Sequence, residues 1–197
     1  MSDKASTPTP NSRSRTHIRS VRERIDRPIA LVGLMGSGKS MLGRKLAQKL
    51  DIPFADSDVL VEEKAGISIT DIFDIGGEEK FRDIERRAIA ELAGGGQMVI
   101  ATGGGAPCHE SSAEILQEQT IMVWLQASAK TLLARIGSTN GRPLLATGDP
   151  LATLERLIDE RKSYYGRAHI HLNTNGLSGA KALDALIASL DDHLPLT

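Results

Sequence analysis

The stretch Gly33-Leu-Met-Gly-Ser-Gly-Lys39-Ser40 limits what this chain can fold into more than any other feature. The apolar run Ile29-Ala-Leu-Val32 precedes it. Leu42, Leu46 and Leu50 follow at four-residue intervals, the spacing of one helix face. A strand therefore enters a glycine-rich turn and a helix leaves it. In that context the pattern G-x-x-x-x-G-K-S is a phosphate site. Glycines let backbone N–H groups turn toward phosphate oxygens, and the helix N-terminus adds partial positive charge. Lys39 can reach β- and γ-phosphates, and the Ser40 hydroxyl can bind Mg²⁺. The chain is expected to bind a nucleoside triphosphate, which leaves the phosphoryl acceptor to be found.

Composition narrows the acceptor. A chain of 197 residues reads as one domain, and a net charge of −1 offers no field for nucleic acid. Its six aromatic residues are too scattered for a base-stacking platform. Cys108 is the sole cysteine, so an internal disulfide and a multi-cysteine metal site are excluded. No apolar run reaches the length of a membrane span. A cytoplasmic enzyme is the expectation, with no nucleic-acid or membrane partner and a monomeric state.

Residues 1–27 differ from the rest. Seven basic residues stand against three acidic ones, a net +4, and Ser, Thr, Pro and Arg dominate. They read as a basic, largely disordered extension, with at most a helical turn near Ile18–Ile25, dispensable for turnover. A transit peptide or a weak anionic-surface tether is the alternative; Asp3 and Glu23 count against the former.

From Pro28 onward five apolar strands alternate with helices: Ile29–Gly33, Ile52–Ala55, Gln97–Ala101, Ile121–Leu125 and Ala168–Leu172. This predicts a parallel sheet covered on both faces. Ligands of such sheets bind outside the carboxyl ends of the strands, where Asp56 and Asp58 follow the second strand. Either could cap the next helix. Beside a phosphate loop, one suits a metal and the other a base for a hydroxyl acceptor. Thr102-Gly-Gly-Gly105 follows the third strand and suggests backbone brought close to a ligand. Short and long helices at Ile69–Asp74 and Glu78–Leu92 flank Gly76-Gly77. On the longer one, Arg82 has Glu78 and Glu85 four and three residues away, so spacing alone reads as a surface ion pair.

The segment near 137–149 is polar and glycine-rich, the make-up of a mobile lid with Arg142 at its tip. Asp149-Pro150 then opens a helix whose stripe is Leu151, Leu154, Ile158, Arg161 and Tyr165. Arg161 falls on the face that packs inward, where an arginine needs an anion from the protein or from a ligand. His169 and His171 alternate in the last strand and read as structural, and Cys108 as a small packed residue.

These pieces carry a resemblance. The chain resembles the shikimate kinase family over residues 28–195, through Gly33–Ser40, Phe54-Ala-Asp-Ser-Asp58, Phe81-Arg82, Thr102-Gly-Gly-Gly105, Arg142-Pro-Leu-Leu145 and the Arg161…Tyr165 pair. The resemblance implies an α/β fold, the three-layer P-loop kinase sandwich with a five-stranded parallel sheet, in a kinase domain spanning 28–197. It implies ATP and Mg²⁺, and transfer to the 3-hydroxyl of shikimate, a step of aromatic amino acid biosynthesis. ATP would contact Gly36, Ser37, Gly38, Lys39, Ser40, Met41 and Arg142. Lys39, Asp58 and Arg142 would be catalytic, with Asp58 as base. Ser40 and Asp56 would hold the metal. Asp58, Arg82, Gly103, Gly104, Gly105 and Arg161 would bind shikimate, the two arginines gripping its carboxylate. One departure falls in the adenine-side loop, which commonly reads Asp-Thr-Asn with basic residues after it. Here it is Asn173-Thr-Asn-Gly-Leu-Ser178. Two rivals remain open: a kinase of the same class acting on an acyclic acid such as gluconate, and a kinase-like sensor domain.

Overall fold

A computed structural model describes residues 10–137, 143–145 and 148–195. Five parallel strands form one sheet in the order β2-β3-β1-β4-β5. They are β1 (Ile29–Val32), β2 (Phe54–Asp56), β3 (Val99–Ala101), β4 (Ile121–Gln126) and β5 (Ile170–Asn173). The helices are α1 (Pro10–Arg24), α2 (Lys39–Leu50), α3 (Ser57–Ala65), α4 (Ile69–Ala93), α5 (Glu110–Gln119), α6 (Ala129–Ile136), α7 (Pro150–Tyr165) and α8 (Gly179–His193).

The central strand explains the layers. All four residues of β1 are buried, and successive side chains point to opposite faces. Ile29 and Leu31 join Leu42, Leu46, Leu186 and Leu190 from α2 and α8. Ala30 and Val32 join Leu116, Leu132, Leu154 and Tyr165 from α5, α6 and α7. β1 pairs with β3 on one side and β4 on the other. The chain thus changes direction across the sheet at β1, and the loop leaving its carboxyl end lies at that switch point.

The long helix α4 is two helices in one. Gly77 has φ 69° and ψ −175°, outside helical geometry, so the expected break at Gly76-Gly77 is a kink. Ser68 caps its start by accepting from the Asp71 N–H at 3.1 Å.

The extension departs most from expectation. Residues 10–24 form a full helix, and Val21 and Ile25 are buried against α2 and α8. Three polar ties hold this end. Arg22 donates to Asp51 at 2.9 Å, just past the end of α2. Buried Arg24 donates to the Asp191 and Leu194 carbonyls at the end of α8 and to the Asp191 carboxylate. Gln97 donates to the Ile25 carbonyl at 2.6 Å. Ile18 and Val21 on the helix and Ile25 just past its end, spaced three and four apart, make the apolar stripe that docks an otherwise polar segment.

Candidate active site

The carboxyl ends of β1, β2 and β3 open into a cavity of about 760 Å³. Gly36, Gly38, Lys39, Ser40 and Met41 line it from the phosphate loop, and Asp56 and Asp58 from the end of β2. Gly103, Gly104 and Gly105 lie after β3, with Arg82 and Glu85 on α4 and Arg161 on α7. Ile69, Phe73 and Phe81 add an apolar wall. Ser37 is buried inside the loop and does not line the cavity. Arg142 lies outside the described residues, as does most of the expected lid; Leu144, one of the lid residues that are described, lines the cavity.

The loop is built on left-handed turns at Gly36 (φ 79°) and Gly38 (φ 94°), which residues with a Cβ avoid. Lys39 Nζ reaches back to donate to the Gly33 and Leu34 carbonyls at 2.9 and 3.1 Å. Ser40, in the first turn of α2, donates from Oγ to Asp56 Oδ2 at 2.6 Å. The other Asp56 oxygen accepts from the Asp58 N–H at 3.2 Å and caps α3. Capping and facing the loop were alternatives in the sequence; Asp56 does both. A hydroxyl and a carboxylate in contact are hard oxygen donors of the kind Mg²⁺ takes alongside phosphate oxygens and water.

Asp58 is half-buried at the cavity wall. Burial pushes its carboxyl up to about 6, the negative charges of Asp56 and Glu85 push the same way, and Lys39 opposes them. A carboxylate poised there suits proton abstraction near neutral pH.

Arg82 does pair as its spacing suggests, at the surface with Glu78 and in the interior with Glu85. It donates to Glu78 at 3.2 Å and to Glu85 at 2.7 Å, and Glu85 is only 1% exposed. Burial raises the Glu85 carboxyl, and the Arg82 hydrogen bond and charge pull it back. Sequence reading missed Glu85. The signal was present: Phe81, Glu85, Ala88 and Leu92 fall on one buried stripe, the argument that singled out Arg161.

Arg161 is half-buried and has no carboxylate partner among the described residues. Its Nη1 donates to the Gly104 carbonyl at 3.2 Å, and the buried Tyr165 hydroxyl donates to the same oxygen at 2.6 Å. Burial pushes the Tyr165 phenol up to about 12, so it stays a donor at any physiological pH.

Two of the three glycines stand in close approach to site side chains. A Cβ at Gly103 would lie 2.6 Å from Asp58 Oδ1, and one at Gly105 would lie 3.1 Å from the Arg82 guanidinium. Ser57, fully buried, accepts from the Gly103 N–H at 3.0 Å and ties the β3 loop to α3. Arg135 is a second residue that sequence reading missed. It lines the cavity and donates to the Ser37 carbonyl at 3.4 Å and to the Thr174 carbonyl at 2.7 Å. It joins the phosphate loop to the Asn173–Asn175 turn, where Asn173 Oδ1 accepts from the Asn175 N–H. His169 accepts from the Met122 N–H at 3.0 Å, and His171 packs edge-on to Trp124; both are structural.

A phosphate loop at the switch point of a five-stranded parallel sheet, opening onto a cavity of small-molecule size, defines the class: a P-loop kinase of small acceptors. The shikimate kinase family model matches residues 35–191, and the chain belongs to that family. It is 43% identical over 169 residues to the shikimate kinase of Rhodopseudomonas palustris, covering 86% of this chain and 83% of that one. It is 41% identical to that of Novosphingobium aromaticivorans, covering 92% and 96%. Among solved structures, the shikimate kinase of Acinetobacter baumannii in complex with shikimate superposes with a TM-score of 0.78 at 36% identity, covering 86% of this chain and 96% of that one. A gluconokinase from Sinorhizobium meliloti, 20% identical with a TM-score of 0.56 over 86% of this chain and 94% of that one, shares the fold alone. No helix among the described residues is long and apolar enough to cross a membrane.

Proposed function

We propose that this chain transfers the γ-phosphoryl group of ATP to the 3-hydroxyl of shikimate, giving shikimate 3-phosphate and ADP. The observation that carries the reading is the meeting of Lys39, Asp58, Arg82 and Arg161 around one cavity. Phosphate chemistry enters from the loop, a base faces it, and two guanidinium groups stand where an acid group can be gripped. Arginine forks match a carboxylate in geometry as well as charge.

In this reading Lys39 leaves the loop carbonyls for the β- and γ-phosphates. Ser40 and Asp56 hold Mg²⁺, which supplies charge neutralisation on the phosphates when bound. Arg82 and Arg161 hold the acceptor carboxylate, and Glu85 fixes Arg82. Asp58 takes the proton of the attacking hydroxyl. The hydroxyl oxygen forms a bond to the γ-phosphorus as the bond to the β,γ-bridging oxygen breaks, and ADP departs with that electron pair. Gly36, Ser37, Gly38 and Met41 shape the nucleotide side. Arg142, from a lid near 137–149, is assigned to charge on the phosphoryl group in transfer. Residues 28–197 are taken as the catalytic unit.

The test is ADP release with ATP and Mg²⁺, comparing shikimate with gluconate. Shikimate-dependent release supports the reading. Preference for gluconate, or no release with either, rejects it.

A further inference from the structure

The hydroxyl of Tyr165 has no place in the reaction so far, yet it makes one of the shortest hydrogen bonds at the cavity wall. It donates to the Gly104 carbonyl at 2.6 Å, beside the Arg161 donor on the same oxygen at 3.2 Å. The ring is held independently of the hydroxyl. It is 1% exposed, packs in the α5–α6–α7 core, and lies 5.7 Å from the Trp124 ring.

A carbonyl pinned on one edge of a trans peptide fixes the N–H on the other edge. Among the described residues no peptide bond is cis. With the Gly104 oxygen drawn toward α7, the trans peptide turns the Gly105 N–H away from α7, and Gly105 lines the cavity beside the Arg82 guanidinium. The Gly105 amide makes no hydrogen bond to the protein among the described residues. A glycine peptide has no side chain to set its orientation, so an outside anchor has to do so.

We propose that Tyr165 is a positioning residue of the acceptor site: its hydroxyl fixes the Gly104–Gly105 peptide and the Arg161 guanidinium together, so that the Gly105 N–H and Arg161 meet the acceptor carboxylate as one preset unit. The proposal rests on the functional reading above and adds a specificity element to it. Two donors on one oxygen lock arginine and peptide to each other. Losing the phenol oxygen frees both, and binding an anion then has to order them.

Steady-state kinetics of Tyr165→Phe test it, because the ring stays and only the hydroxyl goes. The KM for shikimate should rise about fivefold or more, the worth of a typical hydrogen bond, with the KM for ATP within about twofold. In an Arg161→Ala background the same change should add less than about twofold, since the unit is already broken. A purely structural role would raise both KM values together and add fully to Arg161→Ala. That pattern, or an unchanged shikimate KM, overturns the proposal. A readout on the unmutated protein is independent of any folding defect. Saturating shikimate should shift the Gly105 amide resonance and slow its exchange; an unmoved amide also overturns it. Wild-type protein that releases no ADP with shikimate defeats the functional reading itself, whereas active wild type with a silent Tyr165→Phe defeats the positioning role alone.

Discussion

Asp58 stands so close to Gly103 that a methyl group on the glycine would meet its Oδ1 at 2.6 Å. The same methyl would meet Glu85 Oε1 at 3.1 Å. Glu85 is 1% exposed and cannot yield, so Asp58 has to give way by shifting within the cavity it lines. We expect Gly103→Ala to displace Asp58 and lower kcat/KM for shikimate about tenfold or more, or ~1.4 kcal/mol of transition-state stabilisation. Steady-state assays check this. An alanine variant with wild-type kinetics would show that the position of Asp58 is not limiting.

The raised Asp58 carboxyl predicts two pH effects of opposite benefit. As a base it has to be ionised, so kcat/KM should rise with pH through about 6 and level off above it. For stability the folded protein holds this proton more tightly than the unfolded chain. The group therefore costs nothing below its ordinary value of 3.8, and stability falls as pH rises from there to about 6. Above that the full cost is present, on the order of 1–3 kcal/mol. Asp58→Asn should thus raise Tm at pH 7.5 while lowering turnover about a hundredfold or more. A variant that is both inactive and less stable would contradict the burial argument.

The sheet, the order of its strands along the chain and most of the site were legible because each rests on a local pattern. Glycines, a lysine and a serine in fixed spacing make the loop after β1, a carboxylate pair follows β2 and a glycine cluster follows β3. Arg161 was found because a charge on an apolar stripe needs a partner. Glu85 obeys the same rule and was passed over because Arg82, three residues before it, already offered a surface pair. Tertiary packing decided between surface and interior there, and i,i+3 spacing is the same in both. Arg135 could not be read: its partners Ser37 and Thr174 are 98 and 39 residues away, joined only by the fold. The helix Pro10–Arg24 was hidden by its composition. Its docking depends on Val21, Ile25 and buried Arg24, and the arginine reads as polar tail until its acceptors at the end of α8 are known.

That helix changes what truncation should do. Removing residues 1–24 strips Val21 from the core and uncovers α2 and α8, so loss of stability, not indifference, is expected. A point change isolates the effect. Ile25 is 2% exposed, and Ile25→Ala should cost about 2–5 kcal/mol. It lies on the layer of α2 and α8, away from the acceptor side of the cavity, so both KM values should stay within about twofold at temperatures where the variant is folded. Denaturant melts beside kinetics at 20 °C separate the two. A variant as stable as wild type would mean that α1 does not contribute its packing in solution.

Arg82 and Arg161 are assigned the same carboxylate, yet their surroundings predict different mutants. Among the described residues Arg161 gives up a bond to the Gly104 carbonyl, an acceptor that Tyr165 also satisfies, and no carboxylate. Arg161→Ala should raise the shikimate KM and cut kcat/KM about tenfold or more with little change in Tm. Arg82 neutralises Glu85, which is 1% exposed. Arg82→Ala leaves that charge buried and unpaired, a loss that reaches about 3–5 kcal/mol in such pairs. The Glu85 carboxyl, already raised by burial, should climb further once its cation is gone, so the Arg82→Ala variant should regain stability as pH falls. Adding Glu85→Gln should restore much of the Tm without restoring shikimate affinity, because the neutral amide no longer needs the guanidinium but the acceptor carboxylate still does. Thermal melts and titrations of the two single variants and the double variant decide it. Equal losses of Tm at both arginines, or recovery of affinity in the double variant, would rule out the division of labour between a paired arginine and an unpaired one.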